Sequence, residues 1–237
     1  MLRRPLLVLL SRYDRIRAEK TQEPGDDVAL LQSANRIRLD KLSVGAHAKS
    51  QIAAQPYFLL RQTPFGPVAV LWSVHRGRPK IWRALLARPG ILAEHLVKAA
   101  FPDSISYSCP EIEVVADQMV AFLAGEDIRF SLEIARLDLC STFQQKVLRA
   151  EYGIPRGSLS TYQRIARHLG NPNGARAVGA ALAHNPFPII IPCHRAIRSD
   201  GTLGGYQGGL GMKRALLAME GVRFDSKGRL LAGEIFY

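Results

Sequence analysis

A cysteine, a histidine and an arginine stand side by side at Cys193-His194-Arg195, at the end of the run Asn185-Pro186-Phe187-Pro188-Ile189-Ile190-Ile191-Pro192. A thiol next to a base and a fixed positive charge, at the mouth of a rigid apolar segment, is arranged to act as a nucleophile. The three isoleucines read as a short strand buried on both faces, and Pro188 and Pro192 keep the backbone extended. Neighbours in an extended segment point to opposite sides. A direct Cys193–His194 contact is therefore not expected, and a water relay between them fits better. A free thiol with a pKa near ~8.5 is only a few per cent thiolate at neutral pH, so the base is needed to lower it. The bland alternative, a small buried core cysteine, sits badly with two titratable residues directly after it.

The elements around this stretch read as follows. Ser141 or Thr142 caps a helix running to about Glu151, with Phe143, Val147 and Leu148 on one face. Ile154-Pro155-Arg156-Gly157 is a turn. Ser160 or Thr161 caps a second helix, Tyr162 to Leu169, stopped by Gly170. After the loop Asn171-Pro172-Asn173-Gly174, a third helix covers Ala175 to about Ala183, almost all of it small residues. Helix, short turn, helix is the layout of a helix-turn-helix. The small residues equally allow nothing more than close helix packing. Beyond the cysteine, Gly204-Gly205-Tyr206-Gln207-Gly208-Gly209 lets main-chain amides approach a ligand, but no Gly-Lys-Ser/Thr follows, so it is not a phosphate loop. Gly211 to Glu220 reads as a closing helix, with Leu216, Leu217 and Met219 buried and Gly221 as its stop.

Upstream, Tyr57–Arg61, the turn Thr63–Pro67 and Val68–Val74 form a hairpin, and Lys80–Leu86 adds a third strand. Helices are expected over 91–100 and 110–124, the second with Pro110 at its start and Gly125 past its end. Residues 28–42 carry a rough helical stripe. The division is an extension over 1–55, a small α+β unit over 56–140 and a mainly helical unit over 141–237 that holds the cysteine. The fold class is α+β.

The chain has 237 residues, an apolar fraction of 47% and a net charge of +12. That is enough for a packed core and excludes a disordered chain. Residues 141–237 hold 13 basic and 5 acidic residues, whereas residues 51–140 hold 9 of each. The charge is concentrated on the half with the cysteine, and a polyanion such as nucleic acid is its natural partner. A merely solvated basic surface is the other reading. Cys109, Cys140 and Cys193 are too few and too scattered for a disulfide framework or a zinc site, so no metal is expected and the compartment is a reducing one. The first ten residues mimic a signal peptide, but Ser11-Arg12-Tyr13-Asp14-Arg15 ends the run without a cleavage site. No run approaches the ~18 apolar residues that a membrane span needs. The location expected is cytoplasmic, or nuclear in a eukaryote.

The motifs Phe143-Gln144, Val147-Leu148, Ile154-Pro155-Arg156-Gly157, Thr161-Tyr162 and Ala175-Arg176-Ala177-Val178-Gly179 resemble the O6-alkylguanine-DNA alkyltransferases, also called methylated-DNA–protein-cysteine methyltransferases. Asn185-Pro186-Phe187-Pro188, Ile191-Pro192-Cys193-His194-Arg195, Gly205-Tyr206-Gln207-Gly208-Gly209 and Glu220-Gly221 continue the match. It is strong over about 141–223, weaker over 57–140 and absent before about 55. The resemblance implies a ribonuclease H-like sheet unit before the helix-turn-helix unit. It implies a monomer without cofactor, acting on double-stranded DNA that contains O6-alkylguanine or O4-alkylthymine. In it Cys193 takes the alkyl group from guanine, His194 is the base, Glu220 polarises His194 and Asn185 orients the network. Tyr162 donates to the flipped base and helps to eject the leaving guanine, and the Ala196 carbonyl, Pro188 and the Tyr206-Gln207 segment line the base pocket. Gln207 departs from the serine of some members, so its backbone amide would take the place of a hydroxyl donor. Arg176 fills the gap left by the flipped base. Ala175, Ala177 and Gly179 lie in the minor groove, and Thr161 and Arg195 also face DNA. Rival readings are a non-catalytic lesion-binding relative, a cysteine hydrolase and a helix-turn-helix regulator. The residue Cys193 argues against the first, and its adjacency to His194 against the second.

Overall fold

The computed structural model describes residues 55–237 apart from Pro89 and Lys227. The helix expected over 28–42 lies outside the described residues. The order of elements is β1 (Tyr57–Arg61), β2 (Val68–His75), β3 (Arg78–Leu86), α1 (Ala93–Ala100), β4 (Ile105–Ser106), α2 (Pro110–Leu123), α3 (Thr142–Gly153), β5 (Ser158–Thr161), α4 (Tyr162–His168), α5 (Ala175–Ala183), β6 (Ala196–Ile197), α6 (Gly209–Met219), β7 (Arg223–Phe224), β8 (Leu230–Ala232) and β9 (Glu234–Ile235). It is a mixed α+β fold.

β1 to β3 form an antiparallel meander, and β4 joins β1 in parallel, giving the order β3-β2-β1-β4. Alternation along β2 and β3 gives the sheet two apolar faces. Ala69, Leu71 and Leu85 face α1, whose Ala93, Leu96 and Val97 close a small cluster. Val68, Val70, Ile81, Ala84 and Leu86 belong instead to the main core, with Ile112, Ala116 and Met119 of α2. That core continues through Val147 and Leu148 of α3, Ile165 and Ala166 of α4, and Phe187, Ile190 and Cys193. The edge strand β3 meets the cysteine-bearing loop directly: the Ala84 N–H donates to the Pro186 carbonyl at 2.7 Å.

The helix starts follow from their caps. Ser141 accepts a hydrogen bond from the Gln144 N–H and Thr161 one from the Arg164 N–H, satisfying amides that a helix N-terminus leaves unpaired. The Ile189-Ile190-Ile191 run differs from expectation. All three side chains are buried, but the segment is a turn, bridged Pro188 to Ile191, and no strand. The Ile191 N–H donates to the Phe187 carbonyl at 2.8 Å. The Asn185 side chain closes the loop from both ends, accepting from the Phe187 N–H at 2.9 Å and donating to the Ile191 carbonyl at 3.1 Å. A side chain that competes for backbone partners in this way replaces the ladder bonds a strand would need. The turn forces Ile189 to φ 74°, a left-handed conformation that is strained for a β-branched residue. In α6 it is Met212 that is buried, while Met219 stays partly exposed.

Candidate active site

Cys193 opens a 3₁₀ turn, Cys193–Arg195, that leads into β6. Successive side chains in such a turn are about a third of a revolution apart. Cys193 and His194 therefore diverge, although the segment is not extended, and no direct hydrogen bond joins them. The Cys193 side chain is 7% exposed, and it lines a cavity of about 480 Å³ together with Tyr162, Gly179, Pro188, Tyr206 and Gln207. This volume lies within the usual range for small-molecule sites.

His194, itself fully buried, turns away into a largely buried ion-pair network. Its Nε2 lies 2.9 Å from Glu220 Oε1. Arg195 grips the same carboxylate, Nε to Oε2 at 2.9 Å and Nη2 to Oε1 at 2.8 Å, and spends its remaining reach on the Ile154 carbonyl at 2.7 Å. Burial raises the Glu220 carboxyl, but the His194 hydrogen bond and the Arg195 guanidinium outweigh it and hold it at about 2. Burial lowers His194. A neutral imidazole beside an ionised carboxylate keeps its proton on Nε2. Nδ1, buried and without a protein hydrogen-bond partner, is then the acceptor.

Cys193 is not a resting thiolate. Burial pushes its thiol up to about 12, against a downward pull from the Asn185 side chain. Lys213 lowers it and Glu151 raises it. Both of these residues escaped the sequence reading. Lys213, fully buried in α6, donates Nζ to the Ala196 carbonyl at 2.6 Å. Glu151 is buried in α3, where neither carboxyl oxygen meets a partner at full hydrogen-bond geometry, although the Ala196 backbone lies close enough to exert a weak downward pull on its pKa. Burial raises it to about 8. A readable signal existed for Glu151, since it stands four residues after Val147 and three after Leu148, on the apolar stripe.

The remaining predicted residues fall in three groups. Asn185, Pro188, Tyr206, Gln207, Tyr162 and Gly179 reach the cavity wall with Cys193. The Gln207 side chain also crosses to the sheet, where its Oε1 accepts from the Leu86 N–H at 2.9 Å. Ala175, Arg176 and Ala177 lie on α5, Arg176 and Ala177 exposed and Ala175 half-buried, and Thr161 is the cap of α4. Two placements require correction. Ala196 does not line the cavity; its side chain is fully buried and its carbonyl is occupied by Lys213. Arg195, expected at DNA, is buried under Glu220, which neutralises it. The wall also carries Arg83 and Arg88 from the end of the sheet unit, which the sequence reading passed over. Among the described residues no group of three or more His, Cys, Asp or Glu could hold a metal ion, and no helix is long and apolar enough to cross a membrane.

Residues 142–222 match the family profile described as the 6-O-methylguanine DNA methyltransferase DNA-binding domain. A methylated-DNA–protein-cysteine methyltransferase of Methanothermobacter thermautotrophicus is 43% identical over 116 residues, which cover 49% of this chain and 65% of the relative. One of Methanosarcina acetivorans is 40% identical over 124 residues, 52% of this chain and 78% of that protein. The chain thus spans just under two thirds of the first relative's length. The structure of Mycobacterium tuberculosis OGT in complex with DNA superposes with a TM-score of 0.55 at 33% identity, covering 70% of this chain and 93% of that one.

Proposed function

Because the chain belongs to the methylated-DNA–protein-cysteine methyltransferase family, we propose that it repairs DNA by moving the alkyl group of O6-alkylguanine, and of O4-alkylthymine, onto its own Cys193. The observation that carries this reading is the nucleophile in the cavity wall, backed by the buried His194–Glu220–Arg195 chain. The DNA partner is supported by the Mycobacterium tuberculosis OGT–DNA structure and by the basic half of the chain.

The target oxygen is inaccessible inside a duplex, so the base is extruded at a cost of a few kcal/mol. The pair α4–α5 acts as the helix-turn-helix. α5 enters the minor groove, where its small Ala175, Ala177 and Gly179 allow close approach, and exposed Arg176 fills the vacated stack. The flipped base enters between Tyr162, Pro188, Tyr206 and Gln207. Sγ of Cys193 attacks the alkyl carbon, the S–C bond forms and the C–O6 bond breaks with its electron pair staying on guanine. The thiol proton passes through a water to Nδ1 of His194, and an equivalent proton returns to guanine N1, with Tyr162 as a donor. A thiol at about 12 ionises only in concert with this relay, which keeps Cys193 quiet between encounters. The resulting thioether has an unactivated alkyl carbon and a poor leaving group, so water does not restore the thiol and each molecule acts once, as a monomer without cofactor. Residues 56–140 serve as the scaffold. Their order β3-β2-β1-β4 supports the ribonuclease H-like reading, while 141–237 carry the chemistry.

Incubation with a duplex containing O6-methylguanine is expected to add one methyl to Cys193, seen by peptide mass spectrometry, and none to Cys193→Ala. Repeated turnover at sub-stoichiometric protein would refute the single-use reading. A duplex that is bound but never demethylated would favour the lesion-binding relative instead.

A further inference from the structure

Among the described residues, Arg83 is a buried cation whose guanidinium has neither a counter-ion nor a hydrogen-bond acceptor. It stands near the end of β3, and only 8% of its surface is exposed. None of the described hydrogen bonds or ion pairs involves it, and its Nε is sealed from solvent with no acceptor. Its terminal nitrogens are not among the sealed atoms, so each keeps a little contact with solvent. Its neighbours are the Phe101 ring, 5.9 Å from Cζ, and the Cys140 thiol. Desolvation pulls it down to about 10, which leaves it charged at neutral pH. A buried guanidinium without a counter-ion is unfavourable unless something pairs with it.

The surroundings say what that partner is. Arg83 lines the same cavity as Cys193. Arg88 and His184 share this wall, and no aspartate or glutamate lines it. The rigid guanidinium fork matches a two-oxygen anion. Resting on the alkyl-transfer reading above, we infer that Arg83 is an anion subsite of the acceptor cavity, which pairs with an oxyanion carried by the damaged DNA. The oxyanion has two possible sources. One is a carboxylate at the end of the alkyl group, in the smallest case carboxymethyl on guanine O6. The other is a phosphate of the strand whose base is extruded. In either case the sheet half supplies specificity to chemistry performed by the other half.

The test compares wild type with Arg83→Met on duplexes containing O6-methylguanine or O6-carboxymethylguanine, scored as the rate of Cys193 alkylation by mass spectrometry. Duplex affinity is measured alongside as a function of salt. If the ligand is the carboxylate, the carboxymethyl-to-methyl rate ratio falls about tenfold in the variant, as expected for a lost charge-assisted pair. If it is a phosphate, the ratio holds, both rates fall together, and the slope of log K against log salt shrinks by about one. Rates that do not move, or that fall together at an unchanged salt slope, overturn the inference and leave Arg83 a packing residue. Thermal melting checks folding, and Arg83→Gln is the second neutral variant. Wild-type methyl transfer is the control for the parent reading. Were it absent, that reading would fail on its own, while the affinities of wild type and Arg83→Met for the carboxymethyl and methyl duplexes, with their salt slopes, would still report the anion subsite.

Discussion

Glu220 carries two buried partners on one carboxylate, and that sets what its loss does. Glu220→Gln leaves Arg195 charged, buried and uncompensated, at a cost on the order of 3 kcal/mol. It also removes the group that fixes the His194 tautomer, so alkyl transfer is expected to fall by about a hundredfold. Denaturant melts and single-turnover rates measure the two effects separately. The folded carboxyl sits at about 2 against 4.5 in free chains. Its stabilisation is therefore complete above pH ~4.5 and is lost as the pH falls towards 2. Wild-type acid titration should show a loss over that window that Glu220→Gln lacks. Glu151 works in the opposite sense. Held at about 8 against 4.5, it makes the fold less stable as pH rises from 4.5 towards 8. Its charge faces Cys193, Tyr162, Lys213, Arg195 and Tyr237. Glu151→Gln should lower the pH midpoint for iodoacetamide alkylation of Cys193 and flatten the stability decline between pH 4.5 and 8. An unchanged midpoint would show that the carboxyl does not reach the thiol. At this scale Cys193 and His194, the proposed nucleophile and base, stood out because their residue types announce chemistry. Arg195 was not, because a basic residue in a basic half looks solvent-facing until Glu220, 25 residues later, folds against it.

Elements were legible where a local signal decides them. The Ser141 and Thr161 caps, Pro110 at the start of α2 and the small residues of α5 all marked their helices to within a few residues. The isoleucine run misled because three β-branched residues favour a strand, whereas Asn185, a single polar side chain, spends its hydrogen bonds on holding a turn. Nothing in a one-dimensional pattern weighs two side-chain bonds against a ladder. The glycine-rich loop shows the same dependence on tertiary context. Gly204 sits at φ 67°, and a Cβ there would lie 2.6 Å from the Tyr162 hydroxyl. Gly204→Ala therefore meets both backbone strain and a clash with a cavity residue. It is expected to destabilise the protein by roughly 2 kcal/mol and, by displacing the Tyr162 ring, to slow Cys193 methylation at least tenfold. Wild-type kinetics in Gly204→Ala would mean that this loop does not set the position of Tyr162.

The composition shift near residue 141 separates a neutral stretch, residues 51–140, from a basic one, and it suggests two units that could be cut apart. The packing binds them more closely than the charge pattern implies. One apolar core holds Val70, Ile81 and Met119 together with Val147, Phe187 and Cys193. The Ala84–Pro186 backbone bond and the Leu86–Gln207 bond cross the same seam. Charge is written in residue types and can be summed along a chain. A shared core is a matter of which buried faces meet, and that is not local. A fragment beginning at Ser141 keeps its helix caps and most of its positive charge, so it should retain helical circular dichroism and weak, salt-sensitive duplex binding. It loses the apolar surface against which the loop around Phe187 packs, at about 2 kcal/mol for each large side chain left facing water. It also loses the β3 edge that pairs with Pro186. Against a net stability of only about 5–15 kcal/mol for a typical domain, the fragment should melt without a sharp transition and bind an apolar dye. Cys193, no longer buried, should react with iodoacetamide faster than in the full chain, because desolvation is the main cause of its raised pKa. A fragment that melts cooperatively and keeps Cys193 as unreactive as in the full chain would show that the sheet half is dispensable for building the site.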